Sequence, residues 1–235
     1  MKPLPRTVQV TALSVLFGLA LGAEVQCPAP SVSDTRPSLS SLQAQIDALT
    51  LRVNELENPT PKKVFVTSET FQGNFGGLDG ADAICTQLAG AAGLSGTYRA
   101  WLGDTDEGPW ERFTHATHPY ALVDGTLIAS SWEQLTDGTL LAPISVDEFG
   151  QQVPLVPIPS GTESGAVWTN VQTSGKSRSQ FPEGNPDSSV DFHCYDWTRL
   201  DTTGNTGKSY ATSSAWTGEV RFACESTLRL YCFEQ

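Results

Sequence analysis

Gly77-Leu-Asp-Gly-Ala-Asp-Ala-Ile-Cys-Thr-Gln-Leu-Ala-Gly-Ala-Ala-Gly-Leu-Ser-Gly-Thr-Tyr-Arg-Ala-Trp-Leu102 is the stretch that decides the fold. Ala81, Ile84, Cys85, Leu88, Ala91 and Ala92 recur at i, i+3, i+4 spacing. That spacing predicts an amphipathic helix with a cysteine on its buried face. Asp79 is placed to cap the start, and Asp82 follows three residues on, where a carboxylate suits the helix dipole. Gly93 supplies the stop, because glycine enters the left-handed C-terminal position without a Cβ penalty. From Thr97 to Leu102 the residues alternate and include aromatics, as a strand does.

Working outward, Lys62–Thr67 reads as a strand and Phe71–Gly77 as a glycine-bearing loop into the helix. Ser130–Leu135 reads as a short Ser-capped helix. Val146–Val153 reads as a hairpin around Asp147-Glu-Phe-Gly150, and Ala166–Val171 as another strand. Residues 172–191 are polar and carry Gly and Pro, as a surface loop does. Phe192–Thr198 and Leu228–Phe233 are expected to close the domain as strands. No internal repeat is present. The 235 residues are 39% hydrophobic and 17% charged, with 21 Gly and 15 Pro, a turn-rich β-containing composition. The net charge of −12 argues against nucleic acid and heparin-like polyanions, which need clustered Lys and Arg. It leaves a neutral glycan, a cation or a basic protein open as partners.

Upstream, Lys2 and Arg6 precede an apolar run from Val8 to Leu21, followed by the small residues Ala20, Gly22 and Ala23. This is the layout of a secretory signal peptide, so residues 1–23 are expected to be removed and the mature chain to be secreted or held at a cell surface. Residues 24–38 read as a linker, and Cys27 within it as a free or intermolecular thiol. Leu39, Leu42, Ile46, Leu49, Val53 and Leu56 then step by 3, 4, 3, 4, 3, a heptad seam over residues 39–57, with Ser38 before it and Pro59 and Pro61 after. β-branched a positions with Leu at d favour two strands. Arg52-Val-Asn-Glu-Leu-Glu57 instead resembles the Arg-h-x-x-h-Glu motif of short parallel trimers, in which the Arg stem covers the seam and its head reaches a neighbour's Glu. A homotrimer is expected ahead of a homodimer. Residues 58–62 form a second linker, and 63–235 a single domain.

Four cysteines lie in that domain: Cys85, Cys194, Cys224 and Cys232. An even number in an exported chain points to two disulfides, with three pairings open. No C-x-x-C is present, and the spacing fits no compact zinc knuckle, so no metal is expected there. Asp104, Asp106, Glu107 and Glu111 form an acidic cluster with some of the oxygen spacing of a calcium loop. It lacks the bidentate Glu at the right distance, and solvated loop carboxylates are the simpler reading. His115 and His118 would share a helical face, but Pro119 follows and no further ligand is evident. No Gly-x-Ser-x-Gly, His-Glu-x-x-His or phosphate loop occurs, and paired cysteines cannot act as nucleophiles, so no enzyme is expected.

Taken together, Gly80-Ala-Asp-Ala-Ile-Cys85 and Ala92-Gly-Leu-Ser-Gly-Thr-Tyr-Arg-Ala-Trp-Leu102 resemble the opening of endostatin, the C-terminal domain of collagens XV and XVIII. Ser131–Leu135, the hairpin at Phe149-Gly150, Val167-Trp168, His193-Cys-Tyr-Asp-Trp197, Ser209–Ser214 and Cys224–Glu234 follow in the same order. The likeness covers nearly all of residues 64–235, and the chain is also similar to bacterial secreted proteins that share the pattern. The resemblance implies an α+β, C-type-lectin-like fold: a mixed sheet with few helices, here preceded by a short coiled-coil helix. It also implies nested disulfides, Cys85–Cys232 and Cys194–Cys224. Endostatin's zinc histidines and arginine-rich heparin face have no counterparts here beyond Arg99. Sugar-binding C-type lectins hold calcium through a Glu-Pro-Asn or Gln-Pro-Asp tripeptide. Glu183, Asn185, Asp187 and Asp191 are the nearest candidates here, in altered order, and calcium is the one cofactor they admit. The expected role is non-catalytic binding or adhesion to an extracellular glycan or matrix protein. A structural matrix subunit, or a hydrolase on the same fold, is the alternative.

Overall fold

The computed structural model describes residues 37–57, 59–157, 163–178 and 192–235. The stretch expected to be a signal peptide, most of the following linker with Cys27, and Glu183, Asn185, Asp187 and Asp191 lie outside the described residues. The chain divides into two units after Ile46, within its first helix. That helix, α1, runs Leu39–Glu57. Ser38 Oγ accepts the Ser41 N–H at 3.1 Å and so caps it as expected. Leu39, Leu42, Ile46, Leu49 and Val53 stand exposed along it, as does the Arg52 side chain; the side chain of Leu56 is not among those described. Among the described residues no helix is long and apolar enough to cross a membrane.

The domain is mixed α+β with few helices. Its main sheet has five strands in the order β2-β10-β1-β3-β4, comprising Tyr98–Ala100, Tyr231–Glu234, Lys62–Val66, Tyr120–Leu122 and Leu127–Ala129. β1 is antiparallel to β10 and parallel to β3, so the sheet is mixed. β5 (Val156–Pro157) and β6 (Glu163–Ser164) pair with each other. β7 (Ala166–Trp168), β8 (Thr203–Lys208) and β9 (Val220–Ala223) form an antiparallel sheet. It joins the main sheet through a parallel bridge from Val167 to Arg229, just ahead of β10.

Period-2 alternation splits the core. Val64, Val66, Tyr231 and Phe233 face one cluster with Trp101, Trp132 and Trp216. Phe65 and Cys232 face the other, with α2 (Gly77–Ala91), Tyr98, Trp168 and Trp197. Cys85 is fully buried on the inner face of α2, as its spacing predicts, and is bonded to Cys232; Cys194 is bonded to Cys224. Of the three pairings open to the cysteines, the nested one is therefore present.

Local chemistry departs from expectation in three places. Asp79 does not cap α2. The N-cap is Gly76 in the left-handed region, and Asp79 sits in the first turn. Asp82 likewise makes no box, because tertiary partners claim it: its carboxylate accepts the Ala100 N–H at 2.9 Å and pairs with Arg112 at 2.6 Å. Gly93, by contrast, stops the helix as predicted. It has φ 74°, donates to Gly90 O, and Leu94 donates to Ala89 O, closing the end. Second, residues 194–197 are not a strand. Cys194, Tyr195, Asp196 and Trp197 have φ of 55°, 49°, 52° and 61°, one left-handed helical turn. Four such residues in a row cost roughly 1–2 kcal/mol each and must be held by their surroundings. Third, the start of the 172–191 stretch is not surface loop: Ser177 is fully buried and bridges Val171.

The buried phenols carry an alkaline prediction. Burial, then the Glu234 charge, pushes Tyr98 up to about 12, and burial also raises Tyr120 and Tyr231. A tyrosine is neutral when protonated, and these hold their protons longer folded than unfolded. The stability they give is complete below the ordinary value of 10.0 and lost as pH rises toward about 12. Thermal unfolding followed by near-UV circular dichroism should show a falling midpoint across that window, with the phenolate absorbance of these three tyrosines appearing only on unfolding.

Candidate functional site

Three loop segments meet beyond the end of β2. The first, residues 103–112, leaves that strand at Gly103. A Cβ there would lie 2.8 Å from Asn170 O, so glycine is required for the approach. Asn170 Nδ2 and Trp197 Nε1 both donate to Gly103 O, at 3.1 and 2.9 Å. Asn205 Nδ2 donates to Asn170 Oδ1 at 2.7 Å. The Ser177 hydroxyl donates to Asp104 O. A buried polar seam thus ties the first segment to the second, 170–178, and to the left-handed turn.

The acidic cluster does structural work. Asp104 Oδ1 accepts the N–H groups of Asp106 and Glu107 at 2.9 and 2.8 Å, making a turn. Glu111 accepts the Gly108 N–H at 2.9 Å, capping α3 (Pro109–Arg112). Glu107 stands 3.7 Å from Arg112. Among the described residues no group of three His, Cys, Asp or Glu is arranged to hold a metal ion.

His193, Asp196 and Thr105 have the composition of a nucleophile–base triad, but the hydroxyl is bonded to the carboxylate rather than to the imidazole. His193 Nδ1 stands 2.9 Å from the Asp196 N–H and 3.1 Å from Asp196 Oδ1, so both groups of Asp196 face that nitrogen. Nε2 faces Thr105 Oγ1 at 3.5 Å, and that hydroxyl donates to Asp196 Oδ1 at 2.8 Å. A general base would need the hydroxyl hydrogen directed at the imidazole, and here it goes to the carboxylate. The trio instead fastens Thr105 to the left-handed turn; Asp196 Oδ1 also accepts the Thr105 N–H at 2.9 Å.

His115 and His118 are not on a helix. His115 lies flat on Trp132, 4.1 Å between ring centres and 8° between planes, and its Nε2 is 2.8 Å from Trp110 O. A carbonyl only accepts, so Nε2 carries hydrogen. The Trp110 ring centre is 4.8 Å from that of His115, and the Lys176 ammonium is 5.7 Å from Trp110. Trp110 N–H donates to Gly175 O at 2.8 Å. Trp110 is 43% exposed, while the other five tryptophans are buried. Beneath His115, the indole N–H of Trp132 has no acceptor among the described residues. The result is a firm aromatic shelf beside the 172–178 segment. At the other end of the 105–110 segment, Tyr195 is also half exposed, with the Arg199 guanidinium 4.3 Å above its ring.

Sequence reading missed the shelf. Trp110 follows Gly108-Pro109 inside an acidic loop, where a helix start projects a side chain outward, and that was the available signal. No protein-family model matches the chain, and a search of curated proteins finds no similar sequence.

Proposed function

We propose that the chain is an exported, non-catalytic binding or adhesion module of endostatin-like, C-type-lectin-like type, carried on a self-associating α1 stalk. The exposed aromatic shelf beside the 172–178 segment carries this reading: an outward indole on a rigid loop is a contact group, not a core group. The Thr105 hydroxyl is committed to Asp196 Oδ1 at 2.8 Å and stands 3.5 Å from His193 Nε2, which speaks against its use as a hydrolytic nucleophile. The nested disulfides and mixed sheet are what the endostatin resemblance leads one to expect, and bonded cysteines fit an oxidising compartment. The exposed row Leu39, Leu42, Ile46, Leu49 and Val53 suits burial against copies of itself, with Arg52 and Glu57 pairing between neighbours in a trimer; a stalk of this kind raises avidity for repeated ligands.

The test is a glycan and matrix-protein binding screen on the secreted oligomer, with and without calcium, with its mass measured by light scattering. Retention of one ligand class by a trimer is expected. Absence of all binding would leave a structural subunit, and a monomer would remove the stalk.

A further inference from the structure

Resting on the binding reading, we infer that the ligand is a neutral saccharide, held without calcium on the Trp110–His115 shelf and extending along residues 105–110 toward Tyr195. The aromatic surface is the first reason. A pyranose offers a flat C–H face, and an exposed, edge-supported indole is the complementary surface for it. His115 lies against the Trp110 ring and the Gly175 carbonyl holds the Trp110 backbone N–H, so little ordering is left to be done on binding.

The rim is the second. Between the two exposed aromatics lie Thr105, Asp106 and Glu107, all exposed, which offer hydroxyl and carboxylate oxygens to sugar hydroxyls. An acidic sugar would meet like charge there, in a chain of net charge −12. A basic peptide would have to compete with Lys176 and Arg199, which already stand against Trp110 and Tyr195. A polyhydroxylated neutral ligand brings no charge of either sign, and only the Lys176 and Arg199 contacts with the rings have to yield to it. Asp104 Oδ1 and Glu111 Oε2 accept backbone N–H groups, and among the described residues no three carboxylates are arranged for a cation, so the saccharide is bound by stacking and hydrogen bonding rather than through a bridging cation.

The experiment uses the full secreted chain. Neutral glucan, mannan and galactan hexasaccharides are titrated by calorimetry, beside a uronate-containing hexasaccharide and a basic peptide, in calcium and in EDTA. At least one neutral hexasaccharide should bind equally with EDTA. Trp110→Ala should weaken it by about tenfold or more, the scale of one lost stacking contact. Trp110→Phe should retain most of the affinity, and Tyr195→Ala should weaken it by a smaller factor. Unchanged thermal midpoints would show that both variants fold; if Trp110→Ala does not, the ratio between Trp110→Phe and wild type and the Tyr195→Ala value decide. No neutral saccharide bound, loss of binding in EDTA, or binding untouched by Trp110→Ala and Tyr195→Ala overturns the inference. In the first case, capture of a matrix protein would leave the adhesion reading standing, and capture of nothing would remove both.

Discussion

Replacing Cys85 and Cys232 together by alanine is expected to destabilise the domain more than any other paired change, by roughly 5 kcal/mol in the chain-entropy treatment of a closed loop. The bridge spans 147 residues and joins the inner face of α2 to β10. Both cysteines are fully buried, so the bond is shielded from solvent reductant while the fold is intact. The Cys194–Cys224 bridge spans only 30 residues and should contribute roughly 3.5 kcal/mol on the same basis. Its local role is different: it clamps the left-handed turn, and a Cβ at Gly73 would lie 2.5 Å from Cys194 Sγ. Urea unfolding of both double-alanine variants checks the order. A Cys194→Ala/Cys224→Ala protein less stable than Cys85→Ala/Cys232→Ala would show that holding the turn outweighs loop closure.

Trp101→Ala carries the second large effect, a loss of about 3–5 kcal/mol. Trp101 is fully buried and touches Phe113, Trp132, Trp216 and Phe233, with ring centres between 4.8 and 5.9 Å. Its Nε1–H donates to Thr217 Oγ1 at 2.6 Å, so truncation removes a hydrogen bond as well as opening a cavity. Trp132, which supports the His115 shelf, leans on the same ring, so the near-UV dichroism of the shelf should collapse with it. Trp110→Ala, at the exposed end of the aromatic series, should cost far less. Equal losses for the two would mean that Trp110 is a core residue.

The helix–strand unit at 77–102 was legible because apolar spacing and a terminal glycine act locally. Gly93 and the buried face of Cys85 need no distant partner to be read. What was misread depended on partners far away in the chain. Asp82 looks like a cap residue until Ala100 and Arg112 fold over it. His193-Cys-Tyr-Asp-Trp197 has β-forming residues and reads as a strand. The bond to Cys224, the Trp197 indole on Gly103 O and the Asp196 link to Thr105 hold it in a left-handed turn that no propensity favours. The shelf escaped for the same reason: Trp110, His115 and Trp132 are spread over 23 positions, and flat stacking of His115 on Trp132 is a tertiary event.

β10 lies between β2 and β1, in the interior of the main sheet. During synthesis, the ribosome must release the chain past residue 234 before those two strands have a common neighbour, so the sheet cannot assemble vectorially from its amino end. Residues 62–100 therefore remain without their central strand until residue 234 has been made. Removal of residues 231–234 would leave β1 and β2 each with a side that β10 pairs in the native sheet, and a chain whose helix–strand unit has nothing to close against.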